Sequence, residues 1–433
     1  MKRILTFILC IVMSFMFFGC STLDKIQQIE LPPLPTAQPE ETAPPETPQP
    51  TETPAPAVSA ETNHVVIGIS RSTNEFYDPQ NGAVKILTFS YDTPSVVIDN
   101  NEEATEAINE YIARMDETYI TGNDYGVGTS EGMNLLLEMA QDNYYVAVQE
   151  QIELPLEFAS DMTVRTKRID DRCIDLVYTN YLYTGGAHGN YSDIAYVFDA
   201  STGERLTTEM LAGDISGLRT YLTDLMLQLV EENKDGYYSD RLSLDYVGGD
   251  LNTALSGLIR DGAWYFDSEG MCIFSTPYEI APYASGIVEF HIPYEELSGH
   301  IDPRWLPVGY AGDGRLSLRP VSDIDDGSVE VLDRVAVSEN GTELAVVADG
   351  SVSQVTLSKV GYADVFYETS QLWACSEMKD CALQILTDIP DGVPDLMLSY
   401  IESSGTVREF LITMSGEDGS LILVDKNSIQ PRG

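Results

Sequence analysis

The chain has 433 residues, of which 69 are acidic, 24 basic and 4 histidine, for a formal net charge of −45. So anionic a surface repels nucleic acid and anionic membranes and attracts cationic partners, which argues against nucleic-acid binding. An apolar fraction of 43% supports real hydrophobic cores, and the length allows a leader, a tether and two or three folded units.

The first twenty residues carry Lys2 and Arg3, then an apolar run that ends at Gly19 and Cys20, the layout of a bacterial export signal. The run is shorter than the ~20 residues a bilayer-spanning helix needs, so a retained membrane helix is not expected. A small residue before Cys20 and Ser21 resembles the lipobox of bacterial lipoproteins. That resemblance implies a signal peptide over 1–19 and lipid attachment at Cys20. Residues 20–63 follow as a linker rich in Pro, Thr and Glu. Ten of the 22 prolines lie between Leu31 and Thr62, where fixed φ angles and repelling glutamates favour an extended, solvated stalk. Anchor, stalk and domain in this order imply an exported protein held at the bacterial cell surface.

Beyond the stalk, HVVIGISRS and VKILTFSYDTPSVVI have the β-branched runs of strands. DNNEEATEAINEYIARM reads as a helix with Asn100 as its cap, Glu102 and Glu103 at its positive end, and Ile108, Tyr111, Ile112 and Met115 on one face. A second helix, SEGMNLLLEMAQDNY, takes Ser130 as its cap. Gly128-Thr129-Ser130-Glu131-Gly132 also satisfies the nucleophile-elbow pattern, but a polar loop precedes it where that motif needs a strand. The stretch from Met162 to Leu206 is a succession of strands, with YTGGAHG (183–189) between two of them and DASTGE closing the next. Leu218, Tyr221, Leu222, Leu225 and Leu229 form a helical core stripe. A hairpin follows through Asp267 to Gly270, then a strand in which Val288, Phe290 and Ile292 alternate with Glu289 and His291. Segregated blocks of strands and helices predict an α+β domain on an antiparallel sheet with packed helices.

The succession YTGGAHGN, VFDASTGERL, a helix, WYFDSEG, PYEIAPYASG and IPYEEL is similar to the RsiV-like extracytoplasmic domain, which also forms the non-catalytic part of PdaC-type peptidoglycan deacetylases. The likeness covers roughly residues 65 to 300 and implies an RsiV-like domain over 64–305. In the anti-sigma factor RsiV the domain binds lysozyme, so the resemblance implies a cationic protein such as lysozyme as partner. The deacetylase chemistry found beside it elsewhere is not expected, because the four histidines, His64, His188, His291 and His300, contain no His-x-x-x-His pair.

After Trp305, short strands separated by Asp-Gly and Asn-Gly turns predict a smaller β-rich module over 310–433. Its TDIPDGVPDLMLSY faintly resembles the calcium loops of FG-GAP-type repeats, which makes Asp388, Asp391 and Asp395 candidate calcium ligands against the plainer reading of a hairpin turn. No other cofactor is expected. Cys173, Cys272, Cys375 and Cys381 would meet oxidising conditions outside the cell, and Cys375 with Cys381 and Cys173 with Cys272 are the most economical of three pairings.

YTGGAHG itself admits a structural turn, a recognition loop or a catalytic histidine. Its glycines suit positive φ, and no serine and acid pair or full set of zinc ligands is legible beside His188. A turn is expected first, with Tyr183, Gly185, Gly186 and His188 as candidate ligand-binding residues and no catalytic residue. The expected function is therefore a non-catalytic surface lipoprotein binding a cell-wall-related ligand, either lysozyme or peptidoglycan fragments. The alternatives are a peptidoglycan-acting enzyme or a purely structural envelope module.

Overall fold

A computed structural model describes residues 64–428 apart from 123–131, 153–156, 237, 239–240, 243–246, 311, 325–326, 364–365, 389–394 and 416–419. In chain order it contains β1 (Val65–Tyr77), β2 (Lys85–Ile98), α1 (Glu102–Thr121), α2 (Met133–Glu150), β3 (Phe158–Ile169), β4 (Cys173–Tyr183) and β5 (Asn190–Asp199). Next come α3 (Ile215–Glu232), α4 (Leu251–Leu258), β6 (Trp264–Phe266), β7 (Gly270–Ser275), β8 (Val288–Pro293) and a single turn, α5 (Tyr294–Leu297). The remainder is strands: β9 (Arg315–Pro320), β10 (Glu330–Ala336), β11 (Thr342–Asp349), β12 (Ser351–Ala363), β13 (Phe366–Lys379), β14 (Cys381–Thr387), β15 (Leu396–Ile401), β16 (Val407–Met414) and β17 (Leu421–Asp425). Among the described residues no helix is long and apolar enough to cross a membrane. The leader, Cys20 and the linker lie outside the described residues.

The fold is α+β. Ten strands form one sheet in the order β17-β16-β15-β12-β13-β1-β2-β3-β4-β5, flanked by a four-stranded sheet, β10-β14-β11-β9, and a three-stranded one, β6-β7-β8. Pairing is antiparallel except between β2 and β3 and between β10 and β14. The expected boundary between 305 and 310 does not separate two modules. Val66, Ile67 and Gly68 of β1 pair with Cys375, Ala374 and Trp373 of β13, so the C-terminal strands extend the N-terminal sheet within one unit, Glu61–Gly433. Short β-rich sequence with frequent turns suggested independence, and only the long-range pairing of β1 could have revealed the continuity.

Strand alternation builds three larger cores and a smaller fourth around Ile324, Ala345, Val347 and Ala382. In β4, Ile174, Leu176 and Tyr178 face the core under α1, whereas Cys173 and Val177 face the core under α3, α4 and the small sheet. A strand covered on both faces reads as a nearly continuous apolar run, which explains CIDLVY. The third core, around Trp373, Leu357 and Leu398, lies between β12, β13, β15 and β16 of the large sheet and the four-stranded sheet. Helix α1 buries Ile108, Ile112 and Met115, as its spacing predicts, but its cap is Asn101, whose side chain accepts from the Ala104 N–H. Asn100, predicted to cap it, instead occupies positive φ. Asn101 has a second task, because its amide donates to the carbonyl of Ser201 at 2.9 Å and so fixes the DASTGE turn. Gly203 in that turn has φ +74°, and a Cβ there would lie 2.6 Å from the Ala104 carbonyl oxygen. Helix α2 begins after Gly132, so Ser130 is not its cap; Ser130 itself lies outside the described residues.

Candidate recognition face and a polar cluster on the small sheet

YTGGAHG is the connection between β4 and β5, at the edge of the large sheet. Gly185 and Gly186 take φ +92° and +111°, which side-chain-bearing residues rarely adopt. The loop is closed by its own polar groups: the Tyr183 hydroxyl donates to the Gly186 carbonyl at 3.0 Å, and His188 Nδ1 contacts the Gly189 carbonyl at 2.8 Å. A carbonyl oxygen can only accept, so this contact assigns the donor role to Nδ1–H. Gly189 is needed for a different reason, since a Cβ would lie 2.5 Å from the ring of Tyr181.

The turn presents an aromatic platform. His188 stacks on Tyr283 with centroids 4.0 Å apart and 18° between planes. Tyr191 meets Tyr283 edge-on at 5.6 Å, and Tyr278 lies 5.7 Å from it. Tyr278, 48% exposed, holds φ +71°, an unusual conformation for a bulky residue and a mark of a locally over-determined loop. Tyr283 and Tyr278 come from PYEIAPYASG, a segment not singled out for binding in the sequence. The signal available was its four aromatic and proline-fixed positions opposite a glycine-rich turn.

Beside the platform, on neighbouring residues of the same segments, lies a cleft of about 370 Å³ lined by Met115, Met162, Phe274, Tyr178, Asn180 and Arg260 among others. That volume falls in the range of small-molecule sites. The Tyr178 hydroxyl and Asn180 Oδ1 are buried without a hydrogen-bond partner, an arrangement that costs free energy unless a partner arrives. Arg260 at the rim is bridged to Glu279 at 2.6 Å.

The small sheet carries a second cluster, not singled out as a site in the sequence. Register places Tyr265, Cys272 and His291 side by side across β6, β7 and β8, and Glu289 shares a face with His291 because strand side chains alternate. Cys272 Sγ lies 3.9 Å from His291 Nε2, Glu289 Oε2 lies 3.7 Å from the same nitrogen, and Asp267 Oδ2 lies 3.5 Å from His291 Nδ1. Asp267 is held by the N–H groups of Glu269 and Gly270 at 2.9 and 3.0 Å. Hydrogen bonding to Asp267, then to Cys272 and Glu289, holds the His291 imidazolium up to about 12. Burial works to raise Asp267, but the bonds from His291 and the two backbone donors outweigh it and hold the carboxyl low. Glu-x-His in a strand opposite a cysteine was the available signal, masked because the residues looked like ordinary polar alternation.

The remaining predicted residues are placed as follows. Cys173, Cys272, Cys375 and Cys381 are free, buried thiols. Cys173 and Cys272 share one core, and Cys375 and Cys381 another, but neither pair is joined in this structure. Asp388 is exposed and Asp395 half-buried, with Oδ1 unpartnered; Asp391 lies outside the described residues. His300 stacks on Tyr221 at 3.6 Å, which draws Tyr221 out of the α3 core stripe.

With this geometry in place, the comparisons with known proteins locate the family signal. Residues 238–295 match the family DUF3298, described as a protein of unknown function. The DUF3298 segment contains the small sheet, Tyr278 and Tyr283. Among solved structures, a DUF3298 family member from Bacteroides fragilis NCTC 9343 is 18% identical, with 55% of this chain and 94% of that chain covered at a TM-score of 0.41. A DUF3298 family protein from Pseudomonas aeruginosa PAO1 is 17% identical, with 56% and 97% covered at a TM-score of 0.36. No curated protein matches the chain.

Proposed function

We propose that this protein is an exported, lipid-anchored binding protein of the bacterial cell surface, without catalytic activity, whose RsiV-like region recognises a cell-wall-related ligand. Its leading partner is a cationic wall hydrolase such as lysozyme. The observation that carries this reading is the stacked aromatic platform on the β4–β5 turn. Tyrosines fixed on a rigid scaffold offer large contact area at little entropic cost, as interface anchors do. Two features support it. The formal charge of −45 favours encounter with a basic protein. The sequence blocks that resemble the RsiV-like family, WYFDSEG and PYEIAPYASG, fall inside the DUF3298 segment. Cys20 and the linker supply the anchor and the reach.

A second reading, a peptidoglycan fragment as the ligand, is favoured by the cleft. Its unpartnered Tyr178 hydroxyl and Asn180 oxygen match the hydroxyl and amide groups of an acetylated sugar, and Phe274 and Met162 give an apolar floor. Calorimetric titration with lysozyme, at physiological and at high salt, tests the first reading. Saturable one-to-one binding that survives salt and weakens at least tenfold in Tyr283→Ala supports it. Binding that vanishes with salt sinks it, and binding of soluble peptidoglycan fragments lost in Tyr178→Phe would move the assignment to the cleft.

A further inference from the structure

The cluster on the small sheet has the composition and spacing of a metal site. Cys272 Sγ, Glu289 and His291 each offer one ligand atom, all within 4.8 Å of one another. A tetrahedral zinc ion, with bonds of ~2.3 Å to sulfur and ~2.0 Å to nitrogen and oxygen, would hold such atoms roughly 3.3–3.6 Å apart. The 3.9 Å between Sγ and Nε2 and the 3.7 Å between Nε2 and Oε2 need only small inward shifts, and the third edge, within 4.8 Å, closes by rotation of the Glu289 carboxylate. We propose that Cys272, Glu289 and His291 bind a zinc-type divalent ion in place of the protons on the Cys272 thiol and His291 Nε2, which pass to solvent, with Asp267 orienting the imidazole of His291.

Three features support the assignment. Ligating histidines characteristically hand their second ring nitrogen to a carboxylate, and Asp267 Oδ2 stands 3.5 Å from His291 Nδ1, itself pinned by two backbone N–H groups. The Tyr265 hydroxyl donates to Glu289 Oε1 at 3.1 Å, which fixes the carboxylate beside His291. Thiolate, imidazole and carboxylate together suit zinc over calcium or magnesium, which prefer oxygen alone. Cys272 forms the buried base, while the half-exposed His291 and Glu289 form a rim through which an ion would enter and a fourth ligand such as water would complete the tetrahedron.

The full-length protein, stripped with chelator, is titrated with Co²⁺ as a spectroscopic stand-in and then with Zn²⁺. One equivalent of Co²⁺ per chain is expected, with a sulfur-to-cobalt charge-transfer band that Zn²⁺ bleaches. Cys272→Ser should abolish the band, and Cys173→Ser should retain it. Because Cys272 is fully buried and its variant could misfold, the rim supplies a second test: Glu289→Gln, nearly isosteric, should weaken zinc affinity about tenfold with an unchanged circular dichroism spectrum. Asp267→Asn should weaken it on the order of tenfold as well. Absence of stoichiometric binding, or a cobalt band that persists in Cys272→Ser, overturns the proposal. Either result leaves ligand binding by the aromatic platform untouched.

Discussion

The two halves of the ten-stranded sheet are covered differently. Strands β1–β5 pack under α1 on one face, with β4 and β5 covered on the other by α3, α4 and the small sheet, whereas β12, β13, β15 and β16 pack against a second layer of strands. The first half carries the glycine turn, the aromatic platform, the cleft and the Cys272 cluster. The second presents mostly regular pairing, with a core of Trp, Leu, Val and Ile. Helical and loop layers can bring residues distant in sequence over a sheet edge, while a strand-on-strand layer fixes its side chains by alternation and leaves less freedom to build a site. The contrast places the candidate sites in the first half, which is joined to the second by the pairing of β1 with β13.

The sharpest way to break this comparison is to damage the second half and watch the first. Trp373 is fully buried in the C-terminal core, and its indole N–H donates to Asp333 at 2.7 Å. Trp373→Ala should cost about 3–5 kcal/mol. Since β13 pairs with β1, that loss should lower a single thermal transition, and platform tyrosine fluorescence should change at the same temperature. Two separate transitions, of which only one shifts, would mean that the halves are independent modules. The matching change in the first half is Arg168→Ala. Arg168 is fully buried, bridged to Asp170 at 2.6 Å and bonded to the Trp305 carbonyl at 2.5 Å, so it clasps β3 to the segment that follows α5. Its removal leaves Asp170 without its ion-pair partner, which should cost about 3 kcal/mol or somewhat more, read as a lower denaturant midpoint.

How much of this was legible in the sequence depended on range. Helix faces and hairpins were readable because period and turn chemistry are local: Ile108 and Ile112 are buried on α1, and Asp267–Gly270 joins β6 to β7. The pairing of β1 with β13 was not, because it joins residues about 300 apart and no local pattern encodes a partner. The site divided the same way. YTGGAHG was visible as a tight turn, but its stacking on Tyr283 depends on two loops meeting. The Cys272 cluster required the register between β7 and β8, which a one-residue slip would have destroyed.

A smaller effect concerns α1, whose Met115, Thr118 and Tyr119 line the cleft. Burial pushes the Asp116 carboxyl on α1 up to about 6, against one bond from the Thr93 hydroxyl, and its Oδ1 has no partner. A folded-state value raised above the unfolded one means stability is greatest below about pH 4 for this group and falls as pH rises from roughly 4 to 6, because the unfolded chain releases its proton first. Asp116→Asn should remove that slope and raise stability at pH 7 by ~1–2 kcal/mol. Parallel stability curves for the two proteins across pH 4–7 would refute the assignment.

The smallest expected effect tests the seam itself. β2 and β3 pair only as far as Tyr91 and Met162, so beyond that point the N–H groups along the edge of β3 need other acceptors. Asp92 Oδ2 takes that of Val164 at 3.1 Å, and Gln371 of β13 takes that of Thr166 at 2.9 Å while donating to the Thr166 hydroxyl at 2.7 Å. The C-terminal half thus supplies a side-chain rung where the backbone ladder has parted. Gln371→Ala should cost about 1–2 kcal/mol, with faster hydrogen exchange at Thr166 and little change at Val164. Equal exchange at both positions would show that the rung is replaced by solvent and that β1 alone joins the halves.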